Sequence, residues 1–148
     1  MNLTDRQIDM MRADAQALGL SGADLIVNSS NELIRRVCNG IGPSGFPPWA
    51  LWMLERLLPH IVLPAIIHDL RYWYGNGTYV NFMAVNAELA FNSRLVAWRG
   101  VAWWRVGRKV AVALAGLLCA KLCDWFGWTA YCTAIKERRE AEDALLLA

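Results

Sequence analysis

The longest strongly apolar run without a charged residue lies between Lys109 and Lys121 and has 11 residues. A helix that crosses a bilayer needs roughly 18 to 20 consecutive apolar residues. The other long uncharged stretch, residues 37–54, contains three prolines that interrupt a helix. Yet 56% of the 148 residues are apolar and eight are tryptophan, so the chain has much apolar surface to bury. We therefore expect a packed domain without a transmembrane helix.

Composition and charge exclude several classes of protein. Only 19% of the residues are charged, whereas a disordered chain is poor in apolar residues and rich in charge. A net charge of +2 argues against a strongly basic nucleic-acid-binding protein. The first six residues lack the basic and then apolar order of a signal peptide. A length near 150 residues predicts a single domain over residues 1–148.

Apolar residues recur at helical spacing along almost the whole chain, and strand alternation is nearly absent. Thr4 is a predicted N-cap for a first helix that ends before Gly19. A second helix begins near Ala23 or restarts after the cap cluster at residues 28–30. The further predicted helices cover residues 49–58, 64–75, 79–96, 109–124 and 129–147, with breaks at Gly100 and Gly107 and a corner at residues 125–128. The predicted fold is mainly α, centred on the antiparallel helices 64–75 and 79–96, with additional C-terminal helices.

One short string, His68-Asp69-Leu70-Arg71-Tyr72, contains groups suited to chemistry. Histidine is the side chain best suited to proton transfer near neutral pH. On a helix His68 and Tyr72 share a face, while Asp69 points about 100° away and can offer its carboxylate to a hard cation. Upstream, the Gly40-Ile41-Gly42 loop can supply the backbone carbonyls that calcium also accepts.

A glycine loop, an H-D-x-x-Y helix, a turn and a second antiparallel helix together resemble the phospholipase A2 superfamily. The similarity is greatest to the parvovirus capsid phospholipase domain and to small phage and prophage proteins, and it covers about residues 38–92. On this resemblance residues 1–37 are N-terminal helices, 38–96 a phospholipase A2-like core, and 97–148 C-terminal helices. The resemblance implies the following roles: Gly40, Gly42 and Asp69 as calcium ligands, His68 as general base, and Tyr72 as a hydrogen-bond partner of residue 86.

The sequence departs from this family at several positions. Asn86 occupies the place of the aspartate that orients the histidine, and an amide cannot stabilise an imidazolium with a full charge. The cysteines of the secreted family are missing, and Arg71 lies where one of them would be. Two functions follow. One is a phage or prophage phospholipase A2-like protein that binds a protein partner or virion component without full catalysis, in the host cytoplasm or the virion. The other is a calcium-dependent phospholipid acyl-ester hydrolase. For His68 and Asp69 the simpler alternative is a histidine packed in an apolar helix beside a surface carboxylate.

Aromatic and basic residues alternate after residue 93. The candidate surface residues are Trp98, Trp103, Trp104, Arg99 and Arg105. This pattern is typical of a surface that binds phospholipid headgroups, of a protein–protein hot spot, and less often of single-stranded nucleic acid. It also fits a helical core with arginines that extend to solvent. The sequence leaves open whether the chain forms an oligomer.

The four cysteines are too few and too irregularly spaced for a disulfide framework. Cys119 and Cys123 lie four residues apart, on one face of a predicted helix, and no histidine is near them in the sequence. The simplest interpretation is that they are free thiols in an apolar face.

Overall fold

A computed structural model describes residues 3–38 and 59–146. Within these residues the structure is helical and contains no β-strand, which confirms the predicted mainly α class. The helices are α1 (Asp5–Leu18), α2 (Ala23–Asn28), α3 (Asn31–Val37), α4 (Val62–Trp73), α5 (Tyr79–Leu95), α6 (Val106–Phe126) and α7 (Trp128–Leu146). The predicted helix 49–58 and the predicted loop residues Gly40 and Gly42 lie outside the described residues.

The N-terminal helices begin and end at the capping residues of the sequence. Thr4 forms a capping box with Gln7, whose backbone and side chain both pair with Thr4. Gly19 ends α1 in the left-handed region, at φ 61°. The next segment forms two helices, because Ser30 accepts a hydrogen bond from the backbone of Leu33 and starts α3 afresh.

The helix that carries the H-D-x-x-Y string begins earlier than predicted. A 3-10 turn, Pro59–Ile61, leads directly into α4 at Val62, so Pro64 is the third residue of the helix and not its first. The first four N–H groups of a helix have no partner within it, and a proline is therefore tolerated at this position.

The turn between α4 and α5 follows the prediction. Gly77 has a positive φ of 82°, and Thr78 caps α5 by accepting from the backbone N–H of Asn81 at 3.2 Å. A π-helical turn, Val96–Gly100, then extends α5.

The two C-terminal helices differ from the prediction in their bounds. Gly107 lies inside α6 and does not break it, whereas Gly100 ends the π-helical turn. α6 and α7 meet at Gly127 with a bend of 76°. Among the described residues no single helix has the length and apolarity to span a membrane; α6 and α7 meet that test only together, across this bend.

The helix α4 lies at the centre of the packing. Ile67 and Leu70 are fully buried against the N-terminal helices α1 to α3, where Ile8 and Ile26 are also fully buried. Tyr72 instead faces a cluster formed by residues of α5 and α7: Phe82, Val85, Tyr131 and Ile135. A third, smaller cluster joins α6 to the segments before α4 and after α5: Ile61, Ala97, Val101 and Val112.

The helix α5 packs most extensively on α6 and second most on α4. Gly116 of α6 allows α5 and α6 to approach very closely, since a Cβ atom at position 116 would lie 2.1 Å from the Cβ of Ser93 on α5. The C-terminal helix α6 is thus as much a part of the centre as the antiparallel pair that the sequence predicts.

Candidate functional site

The helix α4 places His68 and Tyr72 one turn apart on its inner face. Their ring centroids are 4.2 Å apart, and both side chains are buried, at 6% and 7% exposure. This agrees with the i, i+4 spacing in the sequence. The imidazole is therefore shielded from bulk water on most sides.

Asn86 of α5 lies opposite both rings and is fully buried. Its Oδ1 is 3.0 Å from Nε2 of His68, and it accepts a hydrogen bond from the Tyr72 hydroxyl at 2.8 Å. Burial, with the nearby Cys123 and Asp69, raises the pKa of the Tyr72 hydroxyl, so this group keeps its proton and donates it. The structure thus brings together the three residues that the resemblance implied for the catalytic group.

Asp124, which the sequence analysis did not single out, holds the other end of the Asn86 amide. Nδ2 of Asn86 donates to Oδ1 of Asp124 at 3.0 Å, and Lys121 donates to the second carboxylate oxygen at 2.9 Å. A carboxylate can only accept, so it takes the NH₂ group of the amide and turns Oδ1 towards His68 and Tyr72. An oxygen acceptor at Nε2 requires that Nε2 carry the proton, which leaves Nδ1 as the basic nitrogen of the neutral ring.

The Nδ1 side of His68 faces Asp69, whose Oδ1 lies 3.5 Å away. Burial lowers the pKa of His68, but the hydrogen bonds and charges of Asp69 and Cys123 outweigh it and raise the pKa to about 10. Burial raises the pKa of Asp69, and its contact with His68 opposes this shift. In this arrangement the imidazole holds both protons at neutral pH.

Cys123 was interpreted from the sequence as an uninformative thiol, but it lies beside the site. It contributes to the raised pKa values of both His68 and Tyr72. Gly127, one turn later, brings the corner of α6 and α7 against Tyr72, since a Cβ atom at Gly127 would lie 2.7 Å from the Tyr72 hydroxyl oxygen. No sequence pattern links these residues to His68, because the contact depends on how α6 packs on α5.

Only part of the predicted calcium site lies within the described residues. The side chain of Asp69 is 26% exposed, and His68 is its only ion-pair partner among the described residues. Across residues 3–38 and 59–146 there is no group of three His, Cys, Asp or Glu side chains that could hold a metal ion. Calcium takes six to eight oxygen ligands, many of them backbone carbonyls and water, so Asp69 fits as one ligand of a site that needs further oxygens.

The three predicted surface tryptophans are exposed, so the interpretation that they form a helical core is wrong. Trp98 is 59% exposed, Trp103 78% and Trp104 64%. The residues between the π-helical turn and α6 hold the last two at the surface, where they contact each other edge to face at 5.8 Å. Arg99 and Arg105 are exposed as well, although Arg99 donates to the carbonyl of Leu18 at 2.7 Å.

Comparison of the chain with models of protein families, with curated proteins and with solved structures gives no match in any of the three. The functional assignment therefore depends on the residues of the chain itself.

Proposed function

We propose that the chain is a phospholipase A2-like acyl-ester hydrolase in which His68 is the general base. The observation that supports this best is the position of the Asn86 amide, whose Oδ1 lies 3.0 Å from Nε2 of His68 and accepts from Tyr72. A general base needs one nitrogen fixed by an acceptor and the other directed at a water. His68 meets the first condition, and its Nδ1 lies on the side of Asp69.

In the proposed reaction Nδ1 of His68 takes a proton from a water molecule, whose oxygen attacks the carbonyl carbon of the ester. The tetrahedral intermediate then collapses, the bond from the carbonyl carbon to the ester oxygen breaks, and the imidazolium returns its proton to the leaving alkoxide. The products are a fatty acid and a lysophospholipid. Without calcium the pKa of His68 is raised to about 10; an ion held by Asp69 would oppose this shift, because it would compete with the imidazolium for the carboxylate.

Asn86 in place of an aspartate is compatible with this function because Asp124 fixes its amide. In the serine protease triad an aspartate-to-asparagine change costs about 10⁴ in rate, mainly because the histidine takes the wrong tautomer. Here the Asp124 carboxylate occupies the NH₂ group, so the oxygen of Asn86 faces the ring and favours the correct tautomer. The Asn86 amide lies between the Asp124 carboxylate and the imidazole. We therefore expect a slower enzyme than one in which an aspartate contacts the histidine directly.

Calcium is the cofactor that we propose with this function. Asp69 would hold it, together with the carbonyls of Gly40 and Gly42, which lie outside the described residues. When bound, such an ion would stabilise the negative charge that develops on the carbonyl oxygen of the ester.

A second candidate is a protein that keeps this scaffold without turnover and binds a protein partner or virion component. The exposure of Trp98, Trp103 and Trp104 favours a binding role. The imidazole that holds both protons in this arrangement also favours it, since a protonated histidine is not a base.

The test is the release of fatty acid from mixed phospholipid vesicles at mildly alkaline pH, with calcium and with a chelator. We expect calcium-dependent release that His68→Gln and Asp69→Asn each abolish. His60→Gln is the matched control, because His60 is the other histidine of the chain and has no part in the proposed reaction. If the wild-type protein releases fatty acid no faster than His68→Gln, the hydrolase proposal is wrong and the binding role remains.

A further inference from the structure

The outer face of α6 carries a stripe of exposed apolar side chains. Its members are Val106, Val110, Leu114, Leu117, Leu118 and Trp125, and their exposed fractions run from 47% to 69%. At about 100° per residue these positions fall within roughly 120° of arc, which is one continuous face. The buried residues of α6, including Val112, Gly116 and Ala120, lie on the opposite side. We call this face the α6 stripe.

The α6 stripe continues into a shallow groove between α5 and α6. Its volume is about 410 Å³, and Leu114 and Leu117 line both the groove and the stripe. Arg94 is the one charged residue among the groove's lining side chains. The apolar surface is therefore broader than a single helix face, and a contiguous exposed apolar area of this kind marks a site of interaction.

The exposed charged residues in the segment that carries most of the α6 stripe are basic. From Leu89 to Cys123 the sequence contains six basic residues and no acidic one. Five of these six are exposed: Arg94, Arg99, Arg105, Arg108 and Lys121. Lys121 lies within the arc of the stripe and pairs with the mostly buried carboxylate of Asp124 at 2.9 Å. The four exposed arginines therefore supply the positive charge that makes this segment complementary to an anionic surface.

We infer that the α6 stripe binds the surface of a bilayer that contains anionic phospholipids, with α6 lying in the plane of the headgroups. An interfacial helix inserts an apolar face flanked by basic side chains, and tryptophan prefers headgroup depth. Trp125 is exposed on the stripe, and Trp98, Trp103 and Trp104 are exposed in the segment that precedes α6.

A second copy of the chain is a poorer occupant of the α6 stripe. In a two-fold symmetric dimer the same patch contacts itself, so Arg94 at the groove would be brought into the interface from both copies. An anionic bilayer instead attracts each basic residue near its surface. The inference concerns binding alone and goes beyond the proposed function, since it does not require His68 to act as a base.

Cosedimentation with vesicles tests the inference. The protein is expected to bind vesicles made of equal parts phosphatidylcholine and phosphatidylglycerol, to bind pure phosphatidylcholine far more weakly, and to be released by added salt. The double variant Leu114→Gln/Leu117→Gln should bind at least about tenfold more weakly. Met10→Gln is its matched control, because Met10 is 58% exposed on α1, outside the stripe.

The charged residues are tested in the same way. Arg105→Glu/Arg108→Glu should weaken binding by about tenfold or more, whereas Arg139→Glu, an exposed arginine of α7, should bind as the wild type does. His68→Gln should also bind normally, so loss of hydrolysis and loss of binding are separable.

Three outcomes would overturn the inference. The first is wild-type binding by Leu114→Gln/Leu117→Gln. The second is no binding to either vesicle by a protein that is monomeric in sedimentation velocity, which would point to a protein partner. The third is self-association that the leucine variant abolishes, without vesicle binding, which would assign the stripe to a second copy.

Discussion

At the scale of single residues, the site depends on an amide that is held at both ends. Oδ1 of Asn86 accepts from Tyr72 and lies against His68, while its Nδ2 donates to Asp124. A buried amide with three partners has one orientation, since rotating it by half a turn would place its NH₂ group against the Tyr72 donor. Asp124 is therefore a positioning residue for His68.

Replacing Asp124 by asparagine should loosen this orientation. An amide at position 124 can donate as well as accept, so it no longer selects the NH₂ end of Asn86. We expect hydrolysis to fall by about tenfold or more and the protein to lose about 1–3 kcal/mol of stability through an imperfectly paired buried group. Above the pKa of His68 of about 10, where the ring is neutral, nitrogen NMR should show a mixture of the two tautomers, which a purely structural role of Asp124 would not produce. Asp143→Asn, on the exposed face of α7, is the control.

The two histidines of the chain should titrate on opposite sides of their ordinary pKa of 6.5. Burial, followed by Arg108 and Arg105, lowers the pKa of His60, whereas the pKa of His68 is raised to about 10. The measurement is a proton NMR titration of the two imidazole rings, assigned with His60→Gln. If both rings titrate near pH 6.5, the described contacts of His68 are contradicted.

The same shift has a consequence for stability. A histidine whose folded pKa lies above the unfolded value contributes its full stabilisation below about pH 6.5, and this is lost as the pH rises through about 10. Wild-type stability should therefore fall over that interval more steeply than the stability of His68→Gln. The free energy of unfolding is measured by urea denaturation at several pH values. If it changes with pH equally in the wild type and in His68→Gln, the imidazolium is not stabilised in the folded protein.

At the scale of the helices, the close contact of α5 with α6 is what brings Asp124 to Asn86. Gly116 allows this contact, because a Cβ atom there would lie 2.1 Å from the Cβ of Ser93. Gly107, the other glycine of α6, has open space around it, so a Cβ atom there would meet no neighbour.

Gly116→Ala is expected to destabilise the protein by about 1–3 kcal/mol through overpacking, although alanine is the better helix former. Gly107→Ala, in contrast, should be neutral or stabilise by up to about 1 kcal/mol. Thermal unfolding of the two variants is a matched comparison within one helix. Similar melting temperatures for the two would show that α5 and α6 are not in tight contact at Gly116.

The sequence predicts helices better than it predicts their contacts. Thr4, Ser30 and the turn at Gly77 are local signals, because a cap or turn depends on neighbours within a few residues. The pairing of His68 with Tyr72 could also be predicted, since the two share a helix face, and the resemblance to phospholipase A2 pointed to Asn86. Asp124 and Cys123 could not be, because their approach depends on packing between segments far apart in the chain.

At the scale of the whole molecule, α4 joins two apolar clusters. Its Ile67 and Leu70 pack on α1 to α3, and its Tyr72 packs on α5 and α7. The described part of the segment that resembles phospholipase A2, residues 59–92, thus packs against helices from both ends of the chain. The high apolar content that first raised the question of a membrane is divided between this core and the exposed α6 stripe.

The reactivity of the free cysteines can test how this core is packed. Cys38 is 2% exposed, and burial, with the charge of Asp69, raises the pKa of its thiol, whereas Cys132 is exposed on α7. Iodoacetamide should therefore modify Cys132 first and Cys38 last, and the Cys38 rate should follow the opening of the N-terminal cluster. Peptide mass spectrometry over time measures both rates. Labelling of Cys38 as fast as that of Cys132 in the folded protein would contradict this packing.

The bond between Asn86 and Asp124 spans 38 residues of sequence, and this separation has a consequence during translation. Once α4 and α5 have been synthesised, the nascent chain already contains His68, Tyr72 and Asn86. Nothing yet orients the amide, because Asp124 follows only after nearly all of α6 has been synthesised. For the proposed hydrolase, the nascent chain would have reduced activity until Asp124 has been synthesised, so unfinished chains would expose the cell that makes them to less lipase activity.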